Sequence, residues 1–272
     1  MHEESPPPLT SPLACAVQWG SLLIETLHSE AALPSLHAMM ASLLEFRNFI
    51  ALDYRNGRAP ELLASSFDRD YLLRHLHDYM LGLYQLDPFY ALADGQISGL
   101  HRMRDIAPEG FDHSEYFQRH YQSTQVIDEL RYIVPLAPGR SVHLLIERES
   151  PATPFTRADM ALLVELAPLV HACVARHLEW RDGHMGLQAS PGTDFDLRET
   201  IRSIAPGEIT ARECDIIELM LKGHSVKSMA GQLAIEDVTV TNHKRNIYAK
   251  LGVHSQAQLF DRFLRALTHV PA

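Results

Sequence analysis

Near the end of the chain, the stretch VTVTNHKRNIYAKL carries Thr241, Asn242 and Arg245 at spacings that place them on one side of a helix. Side chains of these types suit base edges in a major groove, because Asn can pair with adenine and Arg with guanine. Lys244 and Lys250 flank them, and lysines suit phosphates, which hold position without reading sequence. Val240, Ile247 and Leu251 share the opposite side and are expected in a core. The chemistry on offer is recognition of a duplex. A solvated surface helix can carry the same pattern, so the surroundings must decide.

Those surroundings are ordered. Thr210-Ala211-Arg212-Glu213 fits a capping box, Ile216, Ile217, Met220 and Leu221 keep the spacing of a buried stripe, and Gly223 is placed to end that helix. Val226, Met229, Ala230 and Leu233 form the apolar side of a second short helix starting at Ser225. A brief turn at Ala234 to Asp237 leads into the third. Helix, tight turn, helix with a basic outer face is a helix-turn-helix arrangement.

At this point the chain resembles the LuxR-type regulators. Their pattern is met by Ile209-Thr210-Ala211-Arg212-Glu213, then Gly223, Ser225, Lys227, Met229, Ala230 and Leu233, then Thr239-Val240, His243, Ile247-Tyr248 and Lys250-Leu251-Gly252-Val253. So many matches in register favour the DNA-reading helix over the solvated one. The resemblance implies base-facing roles for Thr241, Asn242 and Arg245. It implies sugar-phosphate contacts for Lys227, Thr239, Lys244 and Lys250. Three positions depart from the pattern. Glu236 replaces a capping Ser, with Asp237 able to cap one residue later. Val226 replaces a polar residue that often touches phosphate, and Gln256 replaces a common Arg.

Composition bounds the rest. At 272 residues the chain is long enough for two domains. The net charge is −10, yet all four lysines lie from Lys222 onward. From Glu208 to Leu267, eight Lys and Arg face seven Asp and Glu, about +1, so the acidity belongs to the remainder, at −11. An acidic body with a near-neutral module makes DNA affinity depend on dimerisation and salt. No run of about eighteen apolar residues is seen, so no membrane span is expected. The start, MHEESPPPLTSP, does not read as a signal peptide. Cys15, Cys173 and Cys214, odd in number and far apart, fit a reduced cytoplasm.

Taken in order, 1–12 is expected to be a disordered lead, 13–181 an α+β sensor domain, 182–207 a linker and 208–268 the helix-turn-helix domain. Helical spacing runs over Leu13 to His28, Leu33 to Phe46, Asp70 to Tyr84 and Asp112 to Gln122, with a long closing helix from Phe155 to Trp180. Phe49 to Tyr54, the turn dipeptide Asn56-Gly57 and a strand through Leu62-Leu63 read as a hairpin. Asp128 to Leu136 and Ser141 to Arg148 read as paired strands joined at Pro138-Gly139. A short helical piece is expected near Leu197 to Ile204. The fold class is therefore an α+β domain with a mainly antiparallel sheet, followed by an all-α domain of four helices. The first domain resembles the GAF/PAS-like sensors, in a subgroup marked by Asp87-Pro88-Phe89-Tyr90, Asp128-Glu129 and Phe155 to Asp159.

In sensors of that shape a ligand sits between the sheet and the helices on one face. Phe89, Tyr90, Tyr116 and Tyr121 are the aromatics placed to line such a cavity, although aromatic clusters also simply fill cores. The Trp, Tyr and Asp set of the acyl-homoserine-lactone receptors is not seen, since the two tryptophans are Trp19 and Trp180. The lack of any lysine before Lys222 argues against a phosphoacceptor receiver. Sixteen histidines show no metal-ligand spacing, and no nucleophile elbow, Walker A lysine or G-x-G-x-x-G is present. Neither an enzyme nor a cofactor is expected. Leu259, Phe260, Phe263, Leu264 and Leu267 in the last helix exceed what a small core needs. The resemblance implies that this helix packs on its twin in a homodimer. The expected function is a cytoplasmic regulator that binds double-stranded promoter DNA under a small-molecule effector. The alternative is a module that docks on RNA polymerase without DNA specificity of its own.

Overall fold

In a computed structural model, residues 12–56, 58–67, 69–185 and 196–269 are described. The expected lead lies outside these residues except for Pro12, which opens the first helix.

Two helices, α1 (Pro12–Thr26) and α2 (Ala32–Leu43), precede the hairpin of β1 (Asn48–Arg55) and β2 (Glu61–Ser65). Next come α3 (Arg69–Leu81), 3-10 turns at Leu83–Leu86 and Pro88–Leu92, β3 (Gly99–Arg102), α4 (Met103–Ile106) and α5 (Glu115–Thr124). The long strands β4 (Val126–Ala137) and β5 (Arg140–Glu149) lead into α6 (Arg157–Met185). One antiparallel sheet results, in the order β2-β1-β5-β4-β3. Strand alternation gives it two faces. Phe49, Ala51, Leu130, Tyr132, Val134, Val142, Leu144 and Ile146 pack under α1, α2 and α6. Residues of the other parity, among them Ile50, Leu52, Tyr54 and Leu145, face α3 and the 3-10 turns.

Several elements differ from the sequence reading. β3 was not foreseen. α3 stops at Leu81 because Gly82 takes φ 149°, which no continuing helix allows. α5 starts at Glu115 because the Ser114 hydroxyl accepts from the Phe117 N–H and caps it. Within α6, the most apolar eighteen residues reach a mean hydropathy of 1.6, high enough for a membrane span by length and composition alone. Its inner face nonetheless buries Leu163, Val170, Val174 and Leu178 against the sheet.

Past residue 195, α7 (Leu197–Ser203) falls within the expected linker but is packed: Leu197 and Ile201 are buried, and Arg198 pairs with Asp215 at 2.6 Å and Glu218 at 2.9 Å. Then follow α8 (Ala211–Leu221), α9 (Val226–Leu233), α10 (Asp237–Leu251) and α11 (Gln256–His269).

Candidate nucleic-acid interface and sensor core

The Thr210 hydroxyl accepts from the Glu213 N–H at 3.2 Å, and Glu213 reaches back to the Thr210 N–H at 2.9 Å, closing the capping box of α8. Ser225 caps α9 by accepting from the Ser228 N–H. The turn between α9 and α10 pivots on Ala234 at φ 52°, a left-handed conformation uncommon for a residue with a β-carbon. Glu236 stands at the cap of α10 without a side-chain hydrogen bond, and Asp237 is already inside the helix, so neither serves as the missing Ser. Gln256, at another of the departures, donates to the Met220 carbonyl at 2.9 Å and ties α11 to the end of α8.

On α10, Val240, Ile247 and Leu251 are buried. Thr241, Asn242 and Arg245 are exposed together on the outer face. Arg245 donates to the Asn242 side-chain oxygen at 3.3 Å, and Thr241 donates to the Asp237 carbonyl at 3.0 Å. Of the four residues expected on the sugar-phosphate backbone, Lys227 is exposed, Thr239 and Lys244 are half-buried, and burial pulls the Lys244 ammonium below its ordinary pKa. Lys250 is engaged elsewhere: its ammonium lies 2.7 Å from the Glu213 carboxylate and donates to the Glu208 carbonyl at 3.0 Å. It locks the end of α10 to the start of α8. One residue escaped the sequence reading. Val238, in the first turn of α10, is 64% exposed, and its spacing places it on the stripe of Thr241, Asn242 and Arg245. An apolar residue in an otherwise polar stripe was the available signal.

The sensor core holds a buried charged cluster. Arg131 on β4 pairs with Asp87 at 2.7 Å and Glu129 at 2.5 Å, and its guanidinium covers the Phe89 ring at 4.3 Å. Asp87 also accepts from the Tyr79 hydroxyl at 2.8 Å and the Phe89 N–H at 2.9 Å; Tyr121 donates to Glu129 at 2.5 Å. Burial, and then the Asp87 charge, holds the Tyr79 phenol well above its usual pKa. Glu147, hydrogen-bonded to Asn48 at 3.0 Å, is pushed up to about 8, by burial first and by the Glu129 charge second. Glu129 and Arg131 inside an otherwise apolar strand were the only trace of it in the sequence, and they do not name the partners.

Beside it a cavity of about 40 Å3 is lined by residues including Leu52, Tyr79, His120, Arg131 and Glu147. That is far below the ~300 Å3 of an ordinary small-molecule site. A cleft of about 400 Å3 opens between α4, the 107–112 loop, α5 and the start of β4, with Met103, Phe111, Phe117, Tyr121 and Val126 in its walls. Of the four aromatics expected at a ligand site, Tyr121 reaches this cleft and stacks on Phe117. Phe89 lies under Arg131, Tyr116 packs on Phe111 and His120, and Tyr90 packs on Tyr54 and Tyr84, so the structure does not gather the four around one space. The Asp128 and Glu129 carboxylates beside the cleft are already paired, with Arg102 and with Arg131. Among the described residues, no three His, Cys, Asp or Glu side chains gather as a metal site.

Comparison with known proteins bears on both parts. Residues 208–263 match the model of the family described as bacterial regulatory proteins, luxR family, a family of regulators and not of enzymes. A putative HTH-type transcriptional regulator from Aeromonas salmonicida is 28% identical over 190 residues, which are 68% of this chain and 96% of that protein. The Fimbriae Z protein of Escherichia coli is 42% identical over 53 residues, 20% of this chain and a quarter of its own length. Among solved structures, the VqsR LBD domain from Pseudomonas aeruginosa superposes with a TM-score of 0.54 at 27% identity, over 60% of this chain and 96% of that one. Escherichia coli SdiA covers 93% of this chain and 98% of its own, at 14% identity and a TM-score of 0.45. The chain thus joins an α/β domain with a five-stranded antiparallel sheet to a C-terminal luxR-family helix-turn-helix domain.

Proposed function

We propose that this protein is a sequence-specific DNA-binding transcription regulator. It works in the cytoplasm as a homodimer, and a small molecule or partner at its N-terminal domain controls it. The observation that carries the reading is the split of α10: Val240, Ile247 and Leu251 are fixed in the core while Thr241, Asn242 and Arg245 are exposed on the outside. A face of that chemistry matches base edges of a major groove. Val238 extends it with an apolar contact suited to a thymine methyl group. Lys227 and Lys244 supply the phosphate contacts.

For the N-terminal domain, the GAF/PAS-like reading draws support from a single antiparallel sheet with helices on both faces. The 27% identity to the VqsR LBD domain supports an effector-binding role. The cleft that Tyr121 lines has the volume for an effector, whereas the cavity beside Arg131 does not. Homodimerisation is supported by α6, whose outward side exposes Ala161, Val164, Pro168, Leu169 and Ala172 in a mostly apolar stripe that includes Glu165. A second copy of the same helix covers such a stripe without new chemistry.

The test is selection of bound duplexes from a random library by the full chain, followed by sequencing. The expected product is an inverted repeat with half-sites about one helical turn apart. A retained pool with no enriched sequence would overturn the reading. Capture of RNA polymerase by the same protein would then favour the docking alternative.

A further inference from the structure

The walls of the cleft between α4, the 107–112 loop, α5 and the start of β4 are specific in chemistry as well as in volume. Three aromatic rings stand in them. Phe117 stacks on Tyr121 with centroids 5.2 Å apart, and Phe111 meets Phe117 edge-on at 5.6 Å and Tyr121 at 6.0 Å. Met103, Ala107, Pro108 and Val126 continue the apolar lining. At about 400 Å3 the space lies near the small end for ligand sites and suits a body of about one or two rings.

Its polar groups fall into two sets. The buried set is already engaged inside the protein. Both oxygens of Asp128 accept from Arg102, and one of them also accepts from the Phe155 N–H. Glu129 accepts from Arg131 at one oxygen and from the Tyr121 hydroxyl at the other, which uses that hydroxyl as a donor. The exposed set is Glu109 and Asp112 on the loop and Arg104 on α4. Asp112 lies 2.9 Å from the His113 ring, a partner that adds charge only when protonated. Two carboxylates against one guanidinium leave the opening net negative. Ring faces attract a cation, and so do carboxylates, whereas both disfavour an anion.

We propose that the cleft takes an aryl-alkyl amine: an aromatic body seated among Phe111, Phe117 and Tyr121, with its ammonium group at the opening, paired with Glu109 and Asp112. This rests on the reading of the cleft as the effector site and adds the chemical class. Carboxylic acids and phosphate esters are the wrong class. Arg102 and Arg131 are held by Asp128 and Glu129, so Arg104 alone would have to receive an anion beside two carboxylates.

The experiment titrates the full chain by calorimetry with phenylbutylamine, phenylbutanol and phenylbutyrate, which share ring and chain length and differ in charge. The wild type is expected to bind the amine about tenfold tighter than the alcohol, and to bind the acid more weakly than either. Added salt is expected to weaken the amine and leave the alcohol unchanged. The variant with Glu109→Gln and Asp112→Asn, which keeps the shape of both exposed side chains, is expected to bind amine and alcohol alike. Ala107→Trp, which would fill the apolar part of the cleft, is expected to abolish binding of all three. An acid that binds as tightly as the amine, or an amine affinity unchanged in the Glu109 and Asp112 variant, would overturn the amine class. The cleft would still stand as the effector site if the alcohol bound and Ala107→Trp abolished it. If none of the three binds the wild type, or if Ala107→Trp leaves binding intact, the reading of the cleft as the effector site falls as well.

Discussion

The Arg131 guanidinium and the Asp87 carboxylate meet at 2.7 Å across the gap between β4 and the 3-10 turn at Pro88, both buried. Asp87 also takes hydrogen bonds from Tyr79 and from the Phe89 backbone, so both of its oxygens are engaged. Removing one partner of such a pair leaves the other buried with only part of its compensation. Asp87→Ala is expected to cost about 3–5 kcal/mol in urea unfolding. A cost below about 1 kcal/mol would mean that solvent reaches Arg131 and the cluster is not a closed unit.

Glu147 makes the same core pH-sensitive in a definite direction. Its folded pKa of about 8 lies above the ordinary 4.5, so folding takes up a proton between those values. The stability it contributes is full below about pH 4.5 and is lost as the pH rises toward 8. Buried His143 acts oppositely: burial, then the Arg131 charge, lowers its pKa, which costs stability below about pH 6.5. The difference between wild type and Glu147→Gln isolates the carboxyl, since Gln can still accept from Asn48. Thermal or urea unfolding should show the variant gaining about 2–4 kcal/mol on wild type between pH 5 and pH 8. A constant difference across that range would show that Glu147 is solvated.

How far the sequence could be read followed the range of the interactions. In the C-terminal domain the deciding signals are local: the Thr210–Glu213 box, the Ser225 cap and the 3–4 stripes each lie within one helix, and all appear in place. The strands around Pro138-Gly139 were legible for the same reason, a tight turn between alternating runs. β3 was not, because four residues at a sheet edge are too few to show alternation. The Arg131 cluster draws partners from Tyr54, Tyr79, Asp87 and Glu129, a convergence that only the folded sheet creates. Nor could spacing foretell that Lys250 would turn to Glu213, or that Phe260 would meet a residue on α5.

The different surroundings of two lysines make the proposed DNA contact of one distinguishable from a scaffold role of the other. Lys227 is exposed on α9, while Lys250, also exposed, pairs with Glu213 of the α8 capping box. Lys227→Ala is expected to reduce the slope of log affinity against log salt by about one unit. Lys250→Ala should leave that slope unchanged and lower the unfolding midpoint instead, by about 1 kcal/mol of stability. Salt titrations of binding, paired with denaturation curves, check both; a slope change for Lys250→Ala returns it to the backbone contacts.

The outward stripe of α6 makes assembly testable apart from DNA. Val164 is 57% exposed at its centre, so a glutamate there should not disturb the fold of one chain. Two such carboxylates facing each other across a two-fold axis would repel within an apolar contact. Val164→Glu is expected to shift the protein from dimer to monomer in sedimentation velocity, with unchanged circular dichroism. A dimer that persists places the interface elsewhere.

Val238 can be tested by removing the group that it would touch. A thymine differs from a uracil only in its 5-methyl group, which lies in the major groove, and an exposed valine on the stripe proposed to face the bases is suited to contact it. On the selected duplex, replacing dT by dU at single half-site positions should weaken the wild type at one position. The loss expected for one methyl contact is about 1 kcal/mol. Val238→Ala should bind the dT and dU duplexes alike at that position and keep its response to changes opposite Asn242 and Arg245. Equal sensitivity to dU in the variant and the wild type would assign the methyl contact to another residue and leave Val238 as a spacer in the first turn.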